Sequence, residues 1–548
     1  MREGAARDVT IVTDAHLSAP GDSGHRRMRK TLITASLLLA AGLGIASDSA
    51  ATRPFEADSA AVPATQLDSI VRAAQRKRGI APANPCSDEV FVRRAFLDLI
   101  GTLPEVREVE VFLGDRSAGK REALVDALLE RPEFADYWAL KWCDLLRVKG
   151  EYPINLWPNA AQAYHRWVRD AIRENRPYDK FARDLLTASG SNFRAPAVNF
   201  FRAIQGRDGQ AIAAAVALTF MGERIETWPR ARRATTATFF SRVTWKKTAE
   251  WKEEIVLDDP APREAIDAFL PDGTAVRIGP DEDPRAVFAD WLVAPGNREF
   301  ARCEVNRIWA WLFGRGVVHE PDDLRPDNLP VIPGLLEHLE HEFVAAHFDV
   351  KHVFRLILNS RTYQQSPIPR ADPLVAKETF ACYPVRRLDA EVLVDALAWL
   401  TSAGEGYTSN TPEPWTFIPA DRRTITLADG SVTSALLEMF GRPARDTGLA
   451  SERDNEPTDA QRLWLLNSTA VQKRIERSWR LRDCWNAARG DAALAVRRTY
   501  VTVLSRPPTE AESGAAVRYV RGAGRVPGEA MSDVAWALVN SKEFLYRH

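Results

Sequence analysis

Apolar residues recur at helical spacing along most of this 548-residue chain, and the pattern breaks once, between residues 256 and 283. In FVRRAFLDLIG, Phe91, Ala95 and Leu99 fall on one helical face, with Arg93, Arg94 and Asp98 elsewhere. Gly101 and Pro104 stop that run. SAGKREALVDALLERPEFADYWALKWCDLLR reads as two helices broken near Pro132, and NAAQAYHRWVRDAIRENRPYDKFARDLLTAS as two more hinged at Asn175–Asp179. EEIVLDDP and AFLPDGTAVRIG then read as short strands around an Asp-Gly turn. Helical spacing resumes afterwards, and PGLLEHLEHEFVAAH places Leu335, Leu336, Leu339 and Phe343 on one stripe. A chain of this length exceeds what one hydrophobic core serves. The sequence therefore predicts a mainly α fold, a multi-helix two-domain protein with a small β element between the domains. The expected divisions are a signal over 1–46, a linker over 47–65, a helical domain over 66–255, a β-containing spacer over 256–283 and a second helical domain over 284–548.

The signal rests on RRMRKTLITASLLLAAGLGIASDSA. Arg26, Arg27, Arg29 and Lys30 precede an apolar run from Leu32 to Ile45, with small residues at Gly44–Ala46 for cleavage. The run is short for a bilayer span, so a periplasmic or extracellular protein without a transmembrane span is expected after cleavage. Residues 1–27 precede Met28 and fit an over-long gene start. Lys plus Arg (73) balance Asp plus Glu (74), which leaves no global field for nucleic acid. The five cysteines form no C-x-x-C pair, arguing against a zinc ribbon, a thioredoxin-type site or covalent c-type haem. In an oxidising compartment an odd count leaves a free thiol or an intermolecular bridge. The 16 Trp residues serve either as buried anchors or as exposed platforms for sugar rings.

The strongest polar constellation is HEPDDLRPDNLP. Asp322, Asp323, Arg325 and Asn328 occupy a Pro-punctuated loop, with Asn306 and Arg307 upstream in NRIWAWLFGRG. Asp322 and Asp323 are the candidate catalytic acid and base, and Asn306, Arg307, Arg325 and Asn328 the candidate binding residues. The competing reading makes the aspartates turn caps and Arg325 a structural tie. His338 and His341 share a helical face, but EHLEHEFVAAH is not H-E-x-x-H, so no metal and no cofactor is expected. RRLDAEVLVDAL spaces Arg387, Glu391 and Asp395 by four, the pattern of an ion-pair ladder along one helix. No Ser-His-Asp arrangement, G-x-S-x-G elbow or phosphate loop occurs.

Quoted in order, FVRRAFLDLIGTLP, NRPYDKFARDLLTASGS, TAEWKEEIV, NRIWAWLFGRGVVHEPDDLRPDN, RRLDAEVLVDAL, MFGRPAR, ERDNEPTDAQRLWLLNS and WALVNSKEFLYRH resemble one family. It is the secreted planctomycete-type pair of domains of unknown function, a cytochrome-c-associated N-terminal domain with its usual C-terminal partner. The resemblance spans about residues 64–548 and implies no settled reaction. Many members look like FLG-x-R-x-x-C-x-x-C-H-x-H-P where this chain reads FMGERIETWPRARRATTATFF, without cysteine. Relatives often carry C-x-C where this chain has Leu449 and Ser451. The resemblance implies that the two cysteine motifs form one site in relatives, lost here together. The arginines Arg230, Arg232 and Arg233 then belong to a remnant rather than to an anion site.

Three functions remain open, and the sequence does not decide whether the protein is an enzyme. The first is a non-catalytic exported protein binding a polysaccharide or an envelope protein. The second is a carbohydrate-active enzyme using Asp322 and Asp323. The third, redox or electron transfer, follows from the cytochrome association and meets the missing Cys-Cys-His.

Overall fold

Helix accounts for 53% of the computed structural model and strand for 6%, so the fold is mainly α. The structure describes residues 54–57, 64–261, 264–419, 421–522 and 526–548, and the signal region lies outside the described residues. No helix among the described residues is long and apolar enough to cross a membrane.

Local chemistry sets the helix ends. Helix α1 (Asp88–Leu99) starts where the Ser87 hydroxyl accepts from the Val90 N–H. Helix α2 (Pro132–Leu145) opens with proline in its first turn, where the missing N–H costs nothing. Helices α3 (Pro158–Arg173) and α4 (Tyr178–Thr187) flank the turn foreseen at Asn175. Helix α5 (Arg298–Phe313) is capped by Asn297 and α6 (Val350–Leu358) by Asp349. Helix α7 (Ala390–Thr401) follows Asp389. The stripe Leu335, Leu336, Leu339 and Phe343 is buried as its spacing requires.

Two features of helix faces are not visible in the spacing, and one of them overturns an expectation. Helix α1 has no solvent face near its centre, since Arg93, Arg94 and Asp98 are as buried as Phe91 and Leu99. Arg387, Glu391 and Asp395 form no ladder, because Arg387 lies in a strand and the two carboxylates of α7 point to different partners. The charged residues of α1 are buried because partners far away in sequence meet them, backbone carbonyls for Arg93 and Arg94 and the arginines Arg386 and Arg547 for Asp98.

Three small sheets punctuate the helices. Strand β3 (Glu254–Asp258) is the central strand of an antiparallel sheet in the order β1-β3-β2. It pairs with β1 (Gly190–Ser191) at Gly190↔Val256 and with β2 (Val243–Lys247) at Val243↔Asp258. Strands β4 (Ile266–Phe269) and β5 (Ala275–Ile278) form the hairpin expected around Asp272-Gly273. The short β6 (Arg386–Arg387) pairs with β7 (Tyr546–Arg547). Neither β1 nor β2 is visible in the apolar pattern, because β1 is two residues long and β2 ends in exposed Lys246 and Lys247.

Buried apolar side chains form a continuous cluster running from Leu67 to Phe544. Cys86, Cys143, Cys303, Cys382 and Cys484 are all buried and free, so the odd count reflects five separate thiols. Burial pushes the Cys143 and Cys303 thiols up to about 12.

Candidate functional site

The HEPDDLRPDNLP loop is built on α5. The Asn306 amide donates to the Val318 carbonyl and accepts from its N–H, both at 3.0 Å, which fixes the chain leaving the helix. Arg307, the next residue on the helix, donates to Asp322 Oδ1 at 3.0 Å and to the carbonyls of Leu218 and Thr219. The other Asp322 oxygen accepts the Ala450 N–H at 2.6 Å. Asp322 is 0% exposed and Arg307 1%. Asp323 pairs with Arg325 at 2.6 Å, and Asn328 Nδ2 donates to the carbonyls of Asp323 and His319.

The six candidates are thus neighbours in space but do different work. Asn306, Arg307 and Asp322 are an enclosed structural joint, while Asp323, Arg325 and Asn328 tie the loop to itself. General acid–base chemistry needs a carboxyl that can exchange protons with a bound substrate. Asp322 is sealed on both oxygens, which weighs against the catalytic reading and for the turn-and-tie reading.

That joint draws in the two segments singled out by resemblance. The Leu324 N–H donates to the Gly222 carbonyl at 2.9 Å, and Gly222 sits at φ +65°, where an added Cβ would lie 2.9 Å from Leu324 Cδ1. The strand of contacts from Thr219 through Arg307 and Asp322 to Ala450 brings the FMGERIE segment and the Leu449–Ser451 segment to one ion pair. The basic residues beyond it are not an anion cradle. Arg232 stacks on Trp228 at 3.8 Å and sits 3.6 Å from Glu223 and 3.7 Å from Glu299, whereas Arg230 is exposed. The Trp228 indole N–H donates to Glu223.

A second constellation, invisible as such in the sequence, joins the signature segments. Asp98 of α1 accepts from the Tyr363 and Tyr383 hydroxyls at 2.8 and 2.7 Å and from Arg386 and Arg547 at 2.9 and 3.1 Å. Asp389 accepts from Lys141 and Arg547 at 2.9 Å each, from Tyr137 at 2.7 Å and from Asn455 at 2.7 Å. Asp144 of α2 holds Arg445 at 2.8 Å and Arg453 at 2.7 Å, and Arg453 reaches on to Glu391 at 2.6 Å. Burial alone would raise Asp389, but Lys141, Arg547 and Arg453 hold it well below the usual carboxylate range. Burial likewise opposes the charge on Glu391, which Arg453 and then Arg442 bring down to about 2. Perturbed groups of this kind mark either catalysis or structure. Here every carboxylate named is paired with at least one cationic side chain, and Asp98 and Asp389 with hydroxyl or amide donors besides, which is the signature of a structural lattice.

The surface offers a different feature. Trp157, at the start of α3, Trp251, before β3, and Trp415, in the loop after α7, pack as a triad with ring centroids 4.8, 6.3 and 6.0 Å apart. Trp251 is 60% exposed and Trp415 44%. The Lys252 amine lies 4.8 Å over the Trp157 ring. Trp157 itself has φ 71° and ψ 146°, a backbone region left almost entirely to glycine. Its N–H is held by the Gly150 carbonyl at 3.0 Å. The neighbouring loop is fastened by Glu151, which accepts from Ser409 and from the Asn410 N–H at 3.0 Å each. Tyr152 and Phe417 extend the exposed apolar surface of these same two loops. The only sequence signal for this face was the tryptophan count, since the three rings come from segments roughly a hundred residues apart or more.

The class this architecture defines is a mainly α protein whose N- and C-terminal helical regions are tied by a buried lattice of arginines and carboxylates. Residues 66–239 match PSCyt2, a protein of unknown function (DUF1549), and residues 284–520 match PSD1, a protein of unknown function (DUF1553). The chain belongs to the family that carries these two regions in this order. No curated protein and no solved structure matches it.

Proposed function

We propose that this is an exported, non-catalytic binding protein that takes an extracytoplasmic polysaccharide on the Trp157–Trp251–Trp415 face. The observation that carries the reading is a pair of exposed indoles, Trp251 and Trp415, packed on the half-buried Trp157, a residue held in strained backbone. Exposed indoles side by side offer apolar faces to the C–H surfaces of sugar rings, and loops supply polar groups around them. Strain at a bulky residue persists only where its surroundings over-determine it, and such positions cluster at binding sites. Export rests on the basic and apolar layout between Arg26 and Ala46. The enclosure of Asp322 and the pairing of Asp323 with Arg325 favour binding over glycosidic cleavage.

The test is affinity electrophoresis of the mature chain against a panel of soluble polysaccharides, beside the Trp251→Ala/Trp415→Ala variant. Retardation by at least one polysaccharide, weakened roughly tenfold or more in the variant with its thermal unfolding unchanged, is expected. Equal retardation of both proteins, or none of either, would remove this reading. Capture of an envelope protein through the same indoles would replace it.

A further inference from the structure

Away from the surface triad, helices α2 to α6 line a partly open cavity of about 40 Å³. Its wall is aromatic: Trp138 and Trp142 of α2, Tyr178 and Phe181 of α4, Trp311 of α5 and Phe354 of α6. Trp138 lies 4.4 Å from Phe354 and 5.3 Å from Trp311, and Trp142 lies 5.3 Å from Phe181, centroid to centroid. Into this wall α5 places one carboxyl, Glu304, which is 0% exposed. Tyr178 stands beside it as a weak hydrogen-bonding neighbour, and neither Glu304 oxygen makes a well-formed hydrogen bond or an ion pair among the described residues. A buried carboxyl without a charged partner is costly, and native structures rarely leave one so without a reason.

We propose that this cavity binds a small organic cation, a methylated ammonium, with the indole and phenyl faces around its methyl groups and the Glu304 carboxylate as counter-ion. Aromatic faces carry negative potential that attracts desolvated ammonium groups, and a cage of several rings is the recurrent solution for methylated ones. Room for a single water takes about 10–15 Å³ on this measure, so the space suits roughly three waters or an ion of about four or five heavy atoms, and not a sugar ring. The nearby cations do not compete for the carboxylate. Arg307 is committed to Asp322, and Arg176, at the exposed end of the cavity, is paired with Asp184.

The charges facing Glu304 come from its own helix, as Arg307 and Cys303, and from α4, as Tyr178. The lining residues of α2, α3 and α6 carry no titratable group, and Asn175 and Arg176 complete the wall between α3 and α4. Burial pushes Glu304 up to about 8 against the opposing pull of Arg307 and Tyr178, so the empty cavity holds it protonated at neutral pH. A bound cation requires the ionised form, and the proton released passes to solvent.

The experiment titrates the full mature chain with tetramethylammonium chloride against sodium chloride at equal ionic strength. It reads tryptophan fluorescence and calorimetric heat at pH 7 and pH 8.5. Saturable binding is expected, tighter at the higher pH, with proton uptake by the buffer at pH 7. It should weaken at least tenfold in Glu304→Gln, an isosteric change that leaves the cavity wall intact. tert-Butanol, a neutral molecule of nearly the same shape, tests the wild-type protein without any variant. Binding of tert-butanol as tight as that of tetramethylammonium would overturn the proposal and leave an apolar, hydrated cavity. So would the absence of saturation, or unchanged affinity in Glu304→Gln. The polysaccharide test uses other residues, so either proposal can fail alone.

Discussion

Replacing Asp322 by Asn isolates the charge of one carboxylate while preserving its shape. In the native protein that carboxylate faces the Arg307 guanidinium at 3.0 Å, with 0% and 1% of the two side chains exposed. Without it, a guanidinium remains buried among the carbonyls of Leu218 and Thr219, which solvate it only in part. Breaking one side of such a pair costs about 3–5 kcal/mol, mostly because the remaining charge is uncompensated. Asn retains an acceptor for the Ala450 N–H, whereas Ala forfeits it for about 1–3 kcal/mol more. With about 2 cal/mol/K of unfolding entropy per residue, a cooperative body of this size loses roughly 1 °C in Tm per kcal/mol, so Asp322→Asn should lower Tm by about 3–5 °C. Calorimetry measures this directly. The double variant Arg307→Met/Asp322→Leu, which removes both charges, should recover much of the loss. Hydrogen exchange should quicken in the 218–224 and 449–452 segments of Asp322→Asn and spare the α1–α2 region. A Tm within 1 °C of wild type, or a double variant no better than the singles, would show that the joint does not hold the segments together. Loss of polysaccharide retention at unchanged Tm would return Asp322 to the ligand site.

Gly441→Ala should cost more than an ordinary surface change. At φ +77° an added Cβ would lie 1.7 Å from the Asp454 carbonyl oxygen, against backbone that cannot swing aside, so destabilisation of several kcal/mol is expected in a denaturant titration. Acid should loosen the lattice. Glu391 falls from its ordinary 4.5 to about 2 on folding, so the unfolded chain takes up the proton first. Its stabilisation is complete above about pH 4.5 and disappears as pH falls towards 2. The denaturation midpoint should drop more steeply across that window in wild type than in Glu391→Gln; equal slopes would count against the assignment. The five buried thiols should resist Ellman's reagent in the native protein and react as five equivalents once it is unfolded. Fast labelling of one thiol in the native state would contradict the burial.

Periodicity reveals a helix when one side stays in water and fails to say what covers the other side. The Leu335–Phe343 stripe was legible for that reason. The hinge at Asn175 and the break at Pro132 were legible because both act within a few residues of themselves. The burial of Arg93, Arg94 and Asp98 was not legible because spacing records only that a residue is polar, and a polar residue belongs in water unless a partner removes the cost. Their partners are the Val503 carbonyl, the His548 and Tyr363 carbonyls, and Arg386 with Arg547, hundreds of residues away. The candidate loop was found in the right neighbourhood for a related reason. Its Pro and Asp content marks an ordered turn, but Asp322 and Asp323, adjacent in sequence, differ in role because only one meets Arg307.

The sequence by itself determined the mainly α class, the helix breaks at Gly101, Pro132 and Asn175, the hairpin at Asp272-Gly273 and the family to which the two regions belong. These follow from local torsional preference and from motif order, both of which are readable along one dimension. Only the tertiary structure decided that the signature arginines are buried, that three distant tryptophans pack together at one surface, and that Glu304 stands without an ion-pair partner in an aromatic cavity. Each depends on which groups long-range packing brings within a few ångströms. At that range, burial turns a solvated charge into one that must find a partner.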